Sequence, residues 1–184
     1  MPNWCNNNIE IKGPAAKMEA LWDAAFMAER GLLHAMVPMP TEIEGTDNWF
    51  GWCVDNWGTK WDVSTEGIQF INNEDGTASI TGHFESAWSP PIAAYHTYLE
   101  ANEDCTITAS YYECGMDFGG FYDNGDDEFL EDLRNEYELP EDERSDLFKR
   151  LDEEFSIDLA LSDDFDDGWD DDELVDNDVA DLQH

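Results

Sequence analysis

The stretch Cys105-Thr106-Ile107-Thr108-Ala109-Ser110-Tyr111 decides the fold. Cys105, Ile107, Ala109 and Tyr111 alternate with Thr106, Thr108 and Ser110, the period of a strand with one face in a core. Upstream, Ala78, Ile80, Gly82 and Phe84 alternate in the same way. The turn cluster Asn72-Asn73-Glu74-Asp75-Gly76 precedes them, and Ile68 and Phe70 share one face of a strand within about 61–72, which predicts a hairpin. Farther back, Cys5, Asn7, Ile9 and Ile11 alternate with polar neighbours as another strand. Helices fall between these strands. Gly13-Pro14 opens the first, with Pro at its first position. Met18, Leu21, Trp22, Ala25 and Phe26 recur along it at helical spacing, and Gly31 ends it. Residues 32–46, with Pro38 and Pro40, read as irregular. Trp49, Phe50, Trp52, Cys53 and Trp57 fit a short aromatic helix. Ser89-Pro90-Pro91 starts another, whose buried stripe is Ile92, Tyr95 and Leu99.

The order β-α-(α)-β-β-α-β predicts an α+β chain of the ferredoxin-like split βαβ kind. Its sheet would have four antiparallel strands, from about residue 4 to 115, with helices on one face and an insert near 30–58. Iron–sulfur chemistry is not implied, because Cys5, Cys53, Cys105 and Cys114 lack ligand spacing. They form no C-x-x-C pair either, and reduced thiols in a bacterial cytoplasm are the expectation. The first residues, MPNWCNNN, lack the basic and apolar regions of a signal peptide. No run of about 18 apolar residues offers a membrane span.

After Gly119-Gly120 the character changes. Phe129, Leu130, Leu133 and Tyr137 fit a short amphipathic helix. Pro140 would open another, with Leu147, Phe148, Leu151 and Phe155 on one face. Beyond Ser162 the charge density fits disorder, or a segment that orders on a partner, with Val175, Val179 and Leu182 hinting at a last helical turn. The expected division is a domain at 1–122 and an acidic helical module and tail at 123–184.

Charge sets the functional expectation. The chain of 184 residues has 45 Asp and Glu against 8 Lys and Arg, a net charge of −37. Residues 123–184 hold 27 of the acids and only Arg134, Arg144, Lys149 and Arg150 as bases. Such a surface repels nucleic acid and anionic membranes and points to a basic partner or a mobile cation.

At MPNWCNN, VPMP (37–40), WCVDNWGTKWD (52–62), AWSPP (87–91) and YYECGMDFGG (111–120) the chain resembles the YubB-type family of ferredoxin-like domain proteins carried by bacterial plasmids and phages. The resemblance covers roughly residues 1–122. It implies a ferredoxin-like fold and a mobile-element origin, and no activity. The acidic extension from 123 onward departs from the shared motifs.

The densest unusual cluster is Trp57, Lys60, Trp61 and Asp62, with Trp88 joining it as a possible aromatic slot. One reading puts Lys60 in cation–π contact with Trp57 or Trp61 and in an ion pair with Asp62. The other has the tryptophans seal the insert onto the sheet while Lys60 reaches outward. His34, His83, His96 and His184 show no metal-ligand spacing. An EF-hand register that places Gly168 at the sixth position puts Phe165 and Leu174 where ligands belong, and so fails. There is no G-x-S-x-G and no phosphate loop. No enzyme, cofactor or metal is therefore expected.

The leading expectation is a DNA-mimic inhibitor from a mobile element, occupying the basic groove of a nucleic-acid-binding host defence or DNA-processing protein. Its partner-binding residues would be Asp123, Asp126, Asp127, Glu128, Glu131, Asp132, Glu136, Glu138, Glu141, Asp142, Glu143, Asp146, Asp152, Glu153 and Glu154. The alternatives are a non-catalytic adaptor with a solubilising acidic tail, and a small-molecule enzyme around Trp57, Lys60 and Trp61.

Overall fold

A computed structural model of the chain describes residues 3–27 and 30–166. The expected turn at Val175, Val179 and Leu182 lies outside the described residues, as does the calcium-loop register from residue 167 onward, its first four positions falling in the last helix. The elements are β1 (Trp4–Pro14), α1 (Ala15–Trp22) continued by a π turn (Asp23–Met27), α2 (Leu32–Met36), α3 (Trp49–Trp57), β2 (Ile68–Asn72), β3 (Thr77–Ala87) and α4 (Ile92–Ala101). They continue as β4 (Thr106–Glu113), β5 (Phe118–Asp123), β6 (Asp126–Glu131), α5 (Leu133–Tyr137), α6 (Asp146–Phe155) and α7 (Ile157–Asp166).

The strands form one antiparallel sheet in the order β2-β3-β1-β4-β5-β6. This corrects the expected four-stranded ferredoxin-like sheet: the class is still mixed α and β, but β4 is an inner strand and two more follow it. The stretch 118–131 hides its strands for a physical reason. Gly119 and Gly120 read as a breaker, yet they pair with Tyr112 and Tyr111 inside β5. A Cβ on Gly120 would stand 2.4 Å from the Tyr111 hydroxyl, and one on Gly119 would stand 3.1 Å from Leu151 Cδ1. The glycines therefore make room for a tyrosine ring on one face and a leucine on the other. Asn124-Gly125 then closes a two-residue hairpin with φ of 50° and 110°, the left-handed pair that such turns need. The expected helix through Phe129 and Leu130 is thus strand β6, and only Leu133–Tyr137 turns helical.

Each face of the sheet has its own core. On the first face, α1–α4 cover Ile9, Ile11, Ile80, Phe84, Ile107 and Ala109, with Tyr95, Leu32, Leu33 and Trp57 packed over them. On the second face, α5–α7 cover the β4-β5-β6 end among the described residues. There Leu133, Phe148, Leu151, Ile157 and Leu161 are buried against Tyr112, with Phe121, Leu130, Tyr137 and Phe155 partly buried beside them. The inward set expected of the acidic region packs together here. Burying side chains such as Phe148 and Leu151 stabilises by about 1.5–3 kcal/mol each. Helix α6 starts not at Pro140 but at Ser145, whose hydroxyl accepts a bond from the Phe148 amide at 3.1 Å. Residue 122 lies within β5, so the sheet runs through the position at which the sequence divides by composition.

Candidate interaction surface

Helix α3 ends at Trp57, and Gly58, with φ 84°, turns the chain outward. The cluster read from the sequence splits at that point. Trp57 is buried, its indole N–H donating to the Val37 carbonyl at 2.9 Å. Asp62 also turns inward: its carboxylate accepts the backbone N–H groups of Leu33, His34 and Val63, each at 2.8 Å. It caps α2. Burial raises its pKa, while the three amides and nearby His34 pull it down.

Lys60 and Trp61 stay outside. The Lys60 ammonium lies 4.3 Å from the Trp61 ring centre, 5.1 Å from Trp88 and 5.8 Å from Phe50. Trp61 also meets Trp4 at 6.2 Å, and Phe50 meets Trp88 edge-on at 6.2 Å. Trp4, Phe50, Trp61 and Trp88 are all exposed. Trp88 sits at φ 72°, a left-handed conformation that is a true outlier for a bulky residue. Such backbone costs of order 1–3 kcal/mol and persists where the surroundings fix it. Its amide bonds to the Asn3 carbonyl at 2.9 Å.

Trp88 also forms one wall of an open groove of about 760 Å³ with Ile92, Tyr111, Met116, Phe118 and Phe129. The Phe118 and Phe129 rings lie 5.5 Å apart, and Phe129 and Met116 are exposed. Asp127, Glu131 and Asp132 complete the groove's lining. Asp127 accepts the Tyr111 hydroxyl at 2.7 Å. Burial, followed by this bond and the Asp127 charge, holds the Tyr111 phenol above its ordinary pKa, so it stays a donor. Aromatic faces edged by carboxylates suit a cation bearing an aliphatic stem.

The remaining acidic candidates spread over several surfaces. Glu128 pairs with Arg150 at 2.7 Å on the second face, and the Arg150 guanidinium lies 4.2 Å from the Phe121 ring centre. Glu154 accepts Asn8 at 2.7 Å and Ser110 at 3.2 Å, which ties α6 to the sheet beside a polar cleft lined by His83 and Thr108. Glu136 accepts the Ser145 amide, and Asp152 accepts the Asp158 amide. These four carboxylates, together with Asp127, have structural work. Asp123, Asp126, Glu131, Asp132, Glu138, Glu141, Asp142, Glu143, Asp146 and Glu153 are exposed.

Phe50, Met116 and Phe118 were not among the site residues expected from the sequence, where Phe50 figured only in the aromatic helix. The aromatic clustering near Lys60 was legible, but the approach of β5 and β6 to Trp88 was not. Among the described residues there is no group of three or more His, Cys, Asp or Glu able to hold a metal ion. Among them, too, no helix is long and apolar enough to cross a membrane.

No family model matches the chain, and no curated protein matches it. Among solved structures it is similar to the protein api92 from Yersinia pseudotuberculosis, which carries the family label DUF1281. The identity is 21% and the TM-score 0.37, over 54% of this chain and 38% of that one. The chain thus spans under two fifths of that protein's length, and an overlap of this depth assigns neither fold nor activity.

Proposed function

We propose that the protein is a non-catalytic inhibitor from a phage or other mobile element, whose acidic C-terminal surface occupies the basic groove of a DNA-binding host protein. The observation that supports this reading is how three of the region's four cations are used, Arg134 pairing with Asp117 at 4.0 Å. Arg144 is bound to Asp158 and to the carbonyls of Tyr137 and Leu139, and Arg150 is bound to Glu128. The twelve exposed carboxylates from Asp123 to Glu153 then give β6, the 138–143 turn and α6 a strongly negative outer surface.

Each exposed pair with a partner would contribute only about 0–1 kcal/mol, so affinity comes from many contacts together. Screening over about 8–10 Å makes such binding steeply salt-dependent. The test uses a partner captured from bacterial lysate at low salt. Duplex DNA should displace the protein from it, and raised salt should weaken the complex. Reversing Asp126, Asp127, Glu128, Glu131 and Asp132 together should abolish binding, whereas single changes should not. A partner held equally well in the presence of saturating duplex DNA refutes the reading.

A further inference from the structure

Among the described residues, strand β6 ends the sheet order, with β5 its only neighbour. In a two-residue hairpin the pair closing the turn exchanges both backbone bonds, and bonded pairs recur every second position. Asp123 with Asp126, Phe121 with Glu128 and Gly119 with Leu130 are therefore the bonded pairs. The Glu128 carbonyl indeed points at β5, 2.4 Å from where a Cβ of Gly120 would stand. The amides and carbonyls of Asp127, Phe129 and Glu131 consequently face outward from the sheet. The side chains of these same three residues line the groove shared with Trp88, Met116 and Phe118.

We infer that β6 is a strand-addition site for an extended, lysine- or arginine-bearing segment of a partner protein. Two independent features meet here: an outward row of backbone donors and acceptors, and a groove that is aromatic within and acidic at its rim. An added strand gains affinity from main-chain bonds and specificity from alternate side chains. Residues opposite Asp127, Phe129 and Glu131 would place their stems along Phe129 and their cations against the carboxylates. The same charges oppose edge-to-edge pairing with a second copy, whose β6 carries four acids in six residues. The inference goes beyond the proposed function and does not require that the partner bind DNA.

The test uses the full chain and an acetylated, amidated peptide of sequence KVKVKVK, at low salt. In an antiparallel complex with lysines facing the groove, the lysine amides bond to β6 and the valine amides face away. N-methylation of the lysines should lower affinity at least tenfold, and N-methylation of the valines should leave it within twofold. In the complex, exchange of the Asp127, Phe129 and Glu131 amides should slow at least tenfold from fast values in the free protein. Phe129→Thr keeps a strand-forming residue and should weaken binding several-fold.

Equal binding of both methylated peptides would show attraction by charge alone. That overturns strand addition but leaves the proposed inhibitor standing. Absence of binding also overturns it. So does protection of the three amides in the free protein, whether as a monomer or as a dimer by light scattering, because the edge would then already be occupied. Failure of the five-fold charge reversal to disturb a DNA-binding partner sinks the inhibitor reading without touching this one.

Discussion

Replacing Asp62 by alanine separates a structural carboxylate from a functional one. The wild-type carboxylate accepts three backbone N–H groups at 2.8 Å, two from α2 and one from Val63. A net contribution of about 1 kcal/mol per bond gives a gross loss of roughly 3 kcal/mol in Asp62→Ala. Removing a buried charge returns part of this, so about 2–3 kcal/mol should remain. For a chain of this size that is a fall of about 4–12 °C in Tm. Thermal unfolding followed by circular dichroism measures it.

Lys60→Ala is the control, since an exposed cation over aromatic rings is worth about 0.5–1 kcal/mol. A loss below about 0.5 kcal/mol for Asp62→Ala, or a larger loss for Lys60→Ala, would refute the assignment of Asp62 as a cap. The pH dependence has a definite sign. Burial raises the Asp62 pKa in the folded state, so the folded chain holds this proton more tightly than the unfolded chain. The Asp62 contribution is thus greatest below the unfolded carboxylate pKa and declines as pH rises through the folded one. Relative to Asp62→Asn, the wild type should gain stability on mild acidification.

Tyr95 is fully buried and its hydroxyl has no hydrogen-bond partner among the described residues, so Tyr95→Phe should leave stability unchanged or raise it by about 1 kcal/mol in urea unfolding; a loss above that would reveal a partner for the hydroxyl. Of the four free cysteines only Cys114 is exposed, and burial pushes the Cys5 thiol up to about 12 and raises Cys53 and Cys105. A thiol reagent at pH 8 should therefore modify one residue quickly in the native protein and the other three only on unfolding, with mass spectrometry identifying Cys114 as the fast site.

The inner sheet was legible because its strands obey one simple rule. Cys5 to Ile11, Ala78 to Phe84 and Cys105 to Tyr111 alternate cleanly, since one side of each faces a core. The aromatic helix through Trp57 and the stripe of α4 were legible by the same logic at helical period. Strands β5 and β6 were not, because two glycines and a run of acids contradict strand propensity; space for Tyr111 and Leu151 and an edge position override it. The Asn124-Gly125 turn was the available signal. Trp57 and Trp61 are alike in sequence, and only the left-handed Gly58 sends one inward and the other out. The bonds of Asp62 to residues about 30 positions earlier, and the left-handed Trp88, are tertiary facts with no local signature.

The place of β1 has a consequence during synthesis. It lies at the centre of the sheet, yet it leaves the ribosome before both neighbours, and β4 is complete only at Glu113. At about 5–20 residues per second, the roughly 100 intervening residues take on the order of 5–20 s. Both edges of β1 are open until β3 is complete at Ala87, and one until Glu113, which puts it at risk of pairing with another nascent chain. Its polar row of Asn6, Asn8, Glu10 and Lys12 makes such pairing poor, since an intruding strand gains little apolar contact on that side. The acidic surplus adds repulsion between neighbouring copies. Late closure of the sheet is thus a hazard that the composition itself holds in check, long before any partner is met.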